Sequence, residues 1–182
     1  MNCKIAGRHW LRRSVLMTRR IISLFLFSGL LQAQDRVVLA GDSTVASVMA
    51  APKDRPDLAG WGQMLGEFLP QLKVVNHTRS GTSTKSFRTL GLWERVLKEK
   101  GRWVLIQFGH NDQPGKGPER ETDAATTYRE NLRAFVREVR ESGGQPVLIT
   151  SVARRAFVDG KMTSSLGPYV EAVKIVGQEM QV

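Results

Sequence analysis

Four short apolar runs, helical patterns between them and a glycine-rich or polar stretch after each run predict an α/β fold, a three-layer α/β/α doubly wound parallel sheet. The runs are Val37 to Ala40, Lys73 to Asn76, Trp103 to Phe108 and Pro146 to Ser151. They are brief and mostly apolar, as strands buried on both faces are. Between the first two, Trp61, Met64, Leu65 and Phe68 recur at helical spacing before Pro70. Leu92, Trp93, Val96 and Leu97 mark a second helix closed by Gly101. The clearest pattern runs from Asp123 to Ser142, with Tyr128, Leu132, Phe135, Val136 and Val139 on one face and Gly143-Gly144 at its end. A last helix starts near Pro168 and carries Tyr169, Val170, Val173 and Val176. Strands that alternate with helices pair in parallel through right-handed crossovers, and such sheets bind ligands beyond the carboxyl ends of their strands.

Length and charge narrow the function. A chain of 182 residues has room for one modest domain. Its net charge of +10 suggests nucleic acid at first sight, but the cations are unevenly placed. The first 34 residues hold Lys4, Arg8, Arg12, Arg13, Arg19 and Arg20 and no acid, which leaves 21 cations against 17 acids for the rest. A remainder of +4 gives no reason to expect a nucleic-acid partner. The first segment reads instead as an export signal: Arg19-Arg20, the apolar stretch Ile21 to Leu31, and a cleavage region near Ala33 or Gln34. That stretch is well short of the roughly 20 apolar residues a membrane helix needs, so no stable membrane anchor is expected. The sequence thus predicts a secreted or periplasmic protein, with residues 1–34 a signal peptide plus N-terminal extension and Met17 an alternative start to Met1. The single cysteine, Cys3, falls in the removed segment, so disulfides do not hold the domain of residues 35–182.

The candidate chemistry lies in three of the polar stretches. Gly41-Asp42-Ser43-Thr44 presents a serine hydroxyl after the first strand, Ser80-Gly81 follows the second, and Gly109-His110-Asn111-Asp112 follows the third. Acyl transfer needs a serine oxygen, a base, and donors aimed at the oxyanion of the tetrahedral intermediate. Ser43 supplies the first, and the backbone N–H groups of Ser43 and Gly81 with the Asn111 amide supply the donors. Taken alone, Ser43 is equally a helix-capping turn residue and Asn111 a loop residue satisfying its own backbone. His77 and His110 read as structural hydrogen-bonding groups, and Arg154-Arg155 as a solvated pair. Two histidines with scattered acids show no metal-ligand spacing, and no cofactor motif is present.

These blocks resemble the SGNH (GDSL-like) hydrolases, whose four blocks contribute a Ser, a Gly, an Asn and a His. The stretches Trp61-Gly62-Gln63, Asn76 to Phe87, Leu105 to Gln113 and Arg154-Arg155-Ala156-Phe157 are similar to those of rhamnogalacturonan acetylesterases, which remove acetyl groups from pectic polysaccharide. The resemblance implies a flavodoxin-like sheet of order 2-1-3-4-5 and a serine esterase with Ser43 as nucleophile and Gly81 and Asn111 as oxyanion donors. It makes Asp42, Arg79, His110 and Trp61 candidate substrate contacts, an acetylated polysaccharide the partner, and requires no cofactor.

One block departs from the pattern. The family's Asp-x-x-His, which supplies the base and its orienting carboxylate, does not occur in these 182 residues. The expectation is therefore a C-terminally incomplete domain missing its last strand, ending inside its last helix at Val182, with a truncated reading frame as the simplest cause and impaired turnover as the consequence. The competing expectations are a non-catalytic carbohydrate-binding pseudoenzyme that keeps the cleft, and a nucleotide-binding module. The second lacks both glycine-rich phosphate motifs.

Overall fold

The computed structural model describes residues 34–47 and 58–182, which fall in one compact unit spanning Ala33–Val182. The expected export segment, apart from Gln34, lies outside the described residues. Strand β1 (Gln34–Gly41) is followed by a 3-10 turn (Trp61–Gln63), α1 (Leu65–Phe68), β2 (Lys73–Asn76), α2 (Thr84–Thr89), α3 (Leu92–Lys98) and β3 (Gly101–Gln107). Then come α4 (Thr127–Glu141), β4 (Gln145–Leu148), a hairpin of β5 (Ala156–Val158) and β6 (Lys161–Thr163), and α5 (Gly167–Met180). The first four strands form one parallel sheet in the order β2-β1-β3-β4, with β5 and β6 pairing separately and antiparallel.

Side-chain alternation with period two divides the central strands between two cores. Val38 and Ala40 of β1 and Val104 and Ile106 of β3 face one side, where they meet Phe87, Trp93, Phe135, Tyr128, Tyr169 and Val176 from α2 to α5. Val37 and Leu39 face the other, against Trp61, Leu65, Leu69 and Leu72. The first side is the thicker one. Trp93, Phe87, Phe108 and Phe135 are fully buried there, and Trp93 and Phe135 stack with centroids 4.0 Å apart. Glu138 accepts from Trp93 Nε1 at 2.5 Å and from Arg88 Nη1 at 3.1 Å, so the indole N–H that enters the core is satisfied at its rim.

The structure corrects three expectations. The stretch from Trp61 to Phe68 is not one amphipathic helix but a 3-10 turn and four helical residues, with Met64 and Phe68 exposed. Gly62 and Gly66 weaken helix there, and Trp61 is held by a hydrogen bond from its indole Nε1 to Gln107 Oε1 at 3.0 Å. Strand β4 is half exposed rather than buried on both faces: Leu148 packs against the core that α4 and α5 share, while Val147, on the opposite face, is open to solvent. Finally, α5 ends at Met180, where Gln181 takes a left-handed conformation and the Val182 N–H bonds back to the Gly177 carbonyl at 2.9 Å. Val182 thus lies past the helix and not inside it.

Candidate active site

The site forms where β1 and β3 run side by side with Gly41 opposite Gln107. Both strands then end at the same level, and β2 delivers its own loop beside them. Because β1 has β2 on one flank and β3 on the other, their outgoing chains diverge and leave a crevice, the place where open α/β sheets hold ligands.

The turn after β1 is built around Asp42, which has no exposed surface. Its Oδ1 accepts from the Thr44 N–H at 2.9 Å and the Thr44 hydroxyl at 2.8 Å, and its carbonyl accepts from the N–H groups of Val45 and Ala46, both at 3.1 Å. Gln107 Nε2 reaches across from β3 to Thr44 Oγ1 at 2.6 Å. These bonds fix the residues on either side of Ser43 while leaving Ser43 itself exposed, its hydroxyl unbonded among the described residues. Gly41 is needed for space: a Cβ there would sit 2.7 Å from the Gln107 carbonyl oxygen.

Hydrogen bonds bring the other two blocks to this turn. The Arg79 N–H donates to the Gly41 carbonyl at 3.1 Å, and the Thr82 hydroxyl lies 3.3 Å from the same oxygen and 2.7 Å from the Arg79 carbonyl. Between them Gly81 adopts φ +81°, with nothing within 4 Å of where a Cβ would be, so its backbone faces open space. Asn111 Nδ2 donates to the Thr82 carbonyl at 2.9 Å. An amide nitrogen carries two hydrogens, so this bond fixes the side chain and leaves one donor for an acyl oxygen.

The remaining candidates fall at the margin or beneath. His110 is buried, with Nδ1 3.5 Å from Asp42 Oδ2; neither atom has a hydrogen-bond partner among the described residues. Both side chains are buried beside the serine turn, which Asp42 supports through its Oδ1. Trp61 joins the same support through its indole bond to Gln107, and its backbone N–H donates to the Thr44 carbonyl at 3.0 Å. Arg79 is exposed beside Gly81. Arg154, expected as part of a solvated pair, instead donates from Nη2 to the His110 carbonyl at 2.9 Å. His77 is engaged elsewhere: its Nε2 lies 3.1 Å from Glu99, which also pairs with Arg36. That contact with His77 is the main reason the Glu99 carboxyl is held below its ordinary range.

The residue whose role the sequence did not disclose is Asp112. Its Oδ1 accepts from the Thr84 N–H (3.0 Å), the Thr84 hydroxyl (2.6 Å) and the Thr122 hydroxyl (3.0 Å), and its Oδ2 from the Gly109 N–H (3.1 Å). Burial nevertheless outweighs these bonds and pushes its carboxyl up from 3.8 to about 6. The Tyr169 hydroxyl lies between the carbonyls of Asp112 and Thr122, at 2.9 and 2.8 Å, and its own ionisation is pushed up to about 12, by burial first and then by the Asp112 charge. Asp112 thereby joins α2, the loop after β3 and the segment before α4. A signal was available in the Asn-Asp pair itself, but its partners lie 28 and 10 residues away and on no common periodicity.

A folded-state value above the ordinary one means that the native protein holds this proton more tightly than the unfolded chain. The associated stability is present in full below about pH 4 and is lost as pH rises through about 6. Asp112→Asn removes this dependence and sets an amide N–H₂ against the Gly109 N–H. We expect it to destabilise the fold by roughly 1–3 kcal/mol in denaturant unfolding, with the difference between wild type and variant shrinking from pH 4 to pH 7. A difference that stays constant with pH would contradict the burial argument.

Comparison with known proteins agrees with this geometry. Residues 39–182 match the model of the GDSL-like Lipase/Acylhydrolase family. The chain is 38% identical over 151 residues to the rhamnogalacturonan acetylesterase RhgT of Bacillus subtilis, covering 81% of this chain but 62% of that protein. It is 36% identical to the probable rhamnogalacturonan acetylesterase YesY of the same organism, covering 81% of this chain and 68% of the relative. The chain thus spans about two thirds of the length of these relatives. Among solved structures, the protein YXIM of Bacillus subtilis superposes with a TM-score of 0.67 at 27% identity, covering 82% of this chain and 42% of the other. The acetylxylan esterase Axe2 of Geobacillus stearothermophilus shares the fold, with a TM-score of 0.61 at 22% identity over 80% of this chain and 73% of that one. With the family match extending over most of its length and its three blocks assembled at one end of the sheet, the chain belongs to the GDSL-like lipase/acylhydrolase family.

Proposed function

We propose that the protein is a carbohydrate acetylesterase, acting on acetylated pectic polysaccharide, with Ser43 as the attacking group. The observation that carries this reading is an exposed, unbonded Ser43 hydroxyl on a turn whose neighbouring residues are tied to the Gly81 and Asn111 blocks. In the proposed mechanism Ser43 Oγ attacks the acetyl carbonyl, and its proton passes to a base. The carbonyl oxygen, now negative, receives hydrogen bonds from the backbone N–H groups of Ser43 and Gly81 and from the free Asn111 amide hydrogen. One such donor contributes about 3 kcal/mol to the transition state. Collapse expels the sugar hydroxyl, and water then releases acetate from the serine ester. The similarity to two rhamnogalacturonan acetylesterases supports the pectic substrate.

The base is the part these residues do not supply. His77 is bound to Glu99 and His110 is buried beside Asp42, and no Asp-x-x-His occurs in the 182 residues. Without a base, serine attack retains only the contribution of binding and oxyanion donors. We expect the 182-residue polypeptide to bind acetylated pectin and to release acetate from it, or from an aryl acetate, slowly, and Ser43→Ala to abolish the release while binding persists. Release unaffected by Ser43→Ala would sink the serine mechanism. Binding with no serine-dependent release at all would favour a non-catalytic carbohydrate-binding protein.

Export is part of the same reading, supported by the basic and apolar N-terminal segment. N-terminal sequencing of the mature protein is expected to begin near Gln34; a mature chain that retains residues 17–33 would contradict it.

A further inference from the structure

Asp42 and His110 each stand one residue before a working group, Asp42 before Ser43 and His110 before Asn111. Their side chains meet, with His110 Nδ1 3.5 Å from Asp42 Oδ2. One residue follows β1 and the other follows β3, so this contact joins the segment that carries the nucleophile to the segment that carries an oxyanion donor. The proposed chemistry needs those two groups at a fixed spacing, because the acetyl carbon and its oxygen must face them together. Other bonds hold the two residues without using this pair of atoms. Asp42 Oδ1 is taken by Thr44, the His110 carbonyl accepts from Arg154 Nη2 at 2.9 Å, and the Gly109 N–H donates to Asp112 at 3.1 Å. Oδ2 of Asp42 and Nδ1 of His110 are left as two buried atoms without another partner among the described residues.

A carboxylate oxygen shut off from water costs free energy unless a donor reaches it. Asp42 has no exposed surface, and no other described donor bonds its Oδ2. The buried Tyr128 hydroxyl donates instead to the Phe108 carbonyl at 3.0 Å. The separation of 3.5 Å is a little beyond an ordinary N–H···O bond of roughly 2.7–3.2 Å, and too short to admit a water molecule between the two atoms. A small turn of the ring closes it. The proton must then lie on Nδ1, since a bare Nδ1 would set its lone pair against those of Oδ2 in a place that water does not reach. The imidazole suits this task because it is rigid, and because a hydrogen bond at one ring nitrogen fixes both the tautomer and the orientation of the ring.

We propose that His110 is a positioning residue for the acyl-transfer step: its Nδ1–H donates to Asp42 Oδ2, and this bond sets the spacing between Ser43 and the Asn111 amide. The inference rests on the esterase reading above and gives His110 no part in taking the serine proton. Two experiments on the 182-residue protein test it. In a long-range proton–nitrogen-15 NMR spectrum of the histidine rings at about pH 8, assigned by comparison with His110→Asn, Nδ1 of His110 is expected to carry a proton. A proton on Nε2 with Nδ1 bare overturns the proposal, whatever the activity. In kinetics with an aryl acetate, His110→Ala is expected to lower the Ser43-dependent kcat roughly 10- to 100-fold, the range for a lost hydrogen bond to a charged group, with KM little changed. His110→Asn, whose side-chain N–H₂ can replace the Nδ1–H, should recover most of the rate, and His110→Leu, which fills the space without a donor, should not. Equal rates for the Asn and Leu variants, both folded by circular dichroism, reduce the residue to filling space and overturn the proposal. If the wild type shows no Ser43-dependent release, the esterase reading fails, and the spacing is judged on the Ser43 backbone and Asn111 side-chain amide resonances. Those are expected to move in His110→Leu and to return towards their wild-type positions in His110→Asn; resonances that stay in place in His110→Leu overturn the proposal.

Discussion

A carboxylate without exposed surface, Asp112, accepts four hydrogen bonds from Thr84, Thr122 and Gly109, and the geometry of the active-site end depends on that junction. Two opposing effects meet there. Burial disfavours the charge and four donors favour it, and the carboxyl settles at about 6, with burial the larger influence. The junction also fixes positions. The Thr84 N–H is one of the groups that the short helix α2 leaves unbonded at its start, and α2 is further held there by the reciprocal bonds of Ser83 and Ser86. The Gly81-Thr82 stretch that carries a proposed oxyanion donor comes immediately before. Asn131 extends the network by donating to Thr84 Oγ1 at 3.1 Å.

The sheet places this junction and the serine turn on a common frame. Gly41 and Gln107 are register partners, so the chain leaving β1 and the chain leaving β3 depart from the same level of two hydrogen-bonded strands. Gln107 then crosses to Thr44, and Trp61 holds Gln107 from the other core. The support is polar on the ligand side and aromatic behind it. Phe108 shows how closely the two are joined: its ring packs on Phe87 and Phe135, while its carbonyl accepts from Tyr128 and Ser151 at 3.0 and 2.5 Å. Core packing and site geometry therefore share residues.

Much of the fold was legible in the sequence because its periodicities are strong. β2 occupies the predicted residues, and α4 keeps the predicted face of Tyr128, Leu132, Phe135, Val136 and Val139 buried. Where glycine interrupts the pattern, as at Gly62 and Gly66, spacing alone suggested a longer helix than the backbone forms. α2 escaped notice because Thr84–Thr89 is polar and is stabilised by its cap and by Asp112, neither of which leaves an apolar period. The hairpin of β5 and β6 was hidden for a related reason: it is exposed throughout, so nothing in its pattern reports a core. The three site blocks were legible as motifs, and the structure shows the bonds that join them. What the motifs did not convey was the division of labour within each block. Asp42 and His110 are buried beside the serine, while Asp112, with no assigned part at the sequence level, joins three segments.

The claim that a buried carboxylate organises this end of the sheet is tested most directly by following the Asp112 side-chain carbon in carbon-13 NMR as pH is varied in the folded protein. The account predicts a midpoint near 6, with the Thr84 and Gly109 amide resonances shifting in the same titration because both donate to this group. A midpoint at or below the ordinary aspartate value of 3.8, or amides that do not respond, would contradict it.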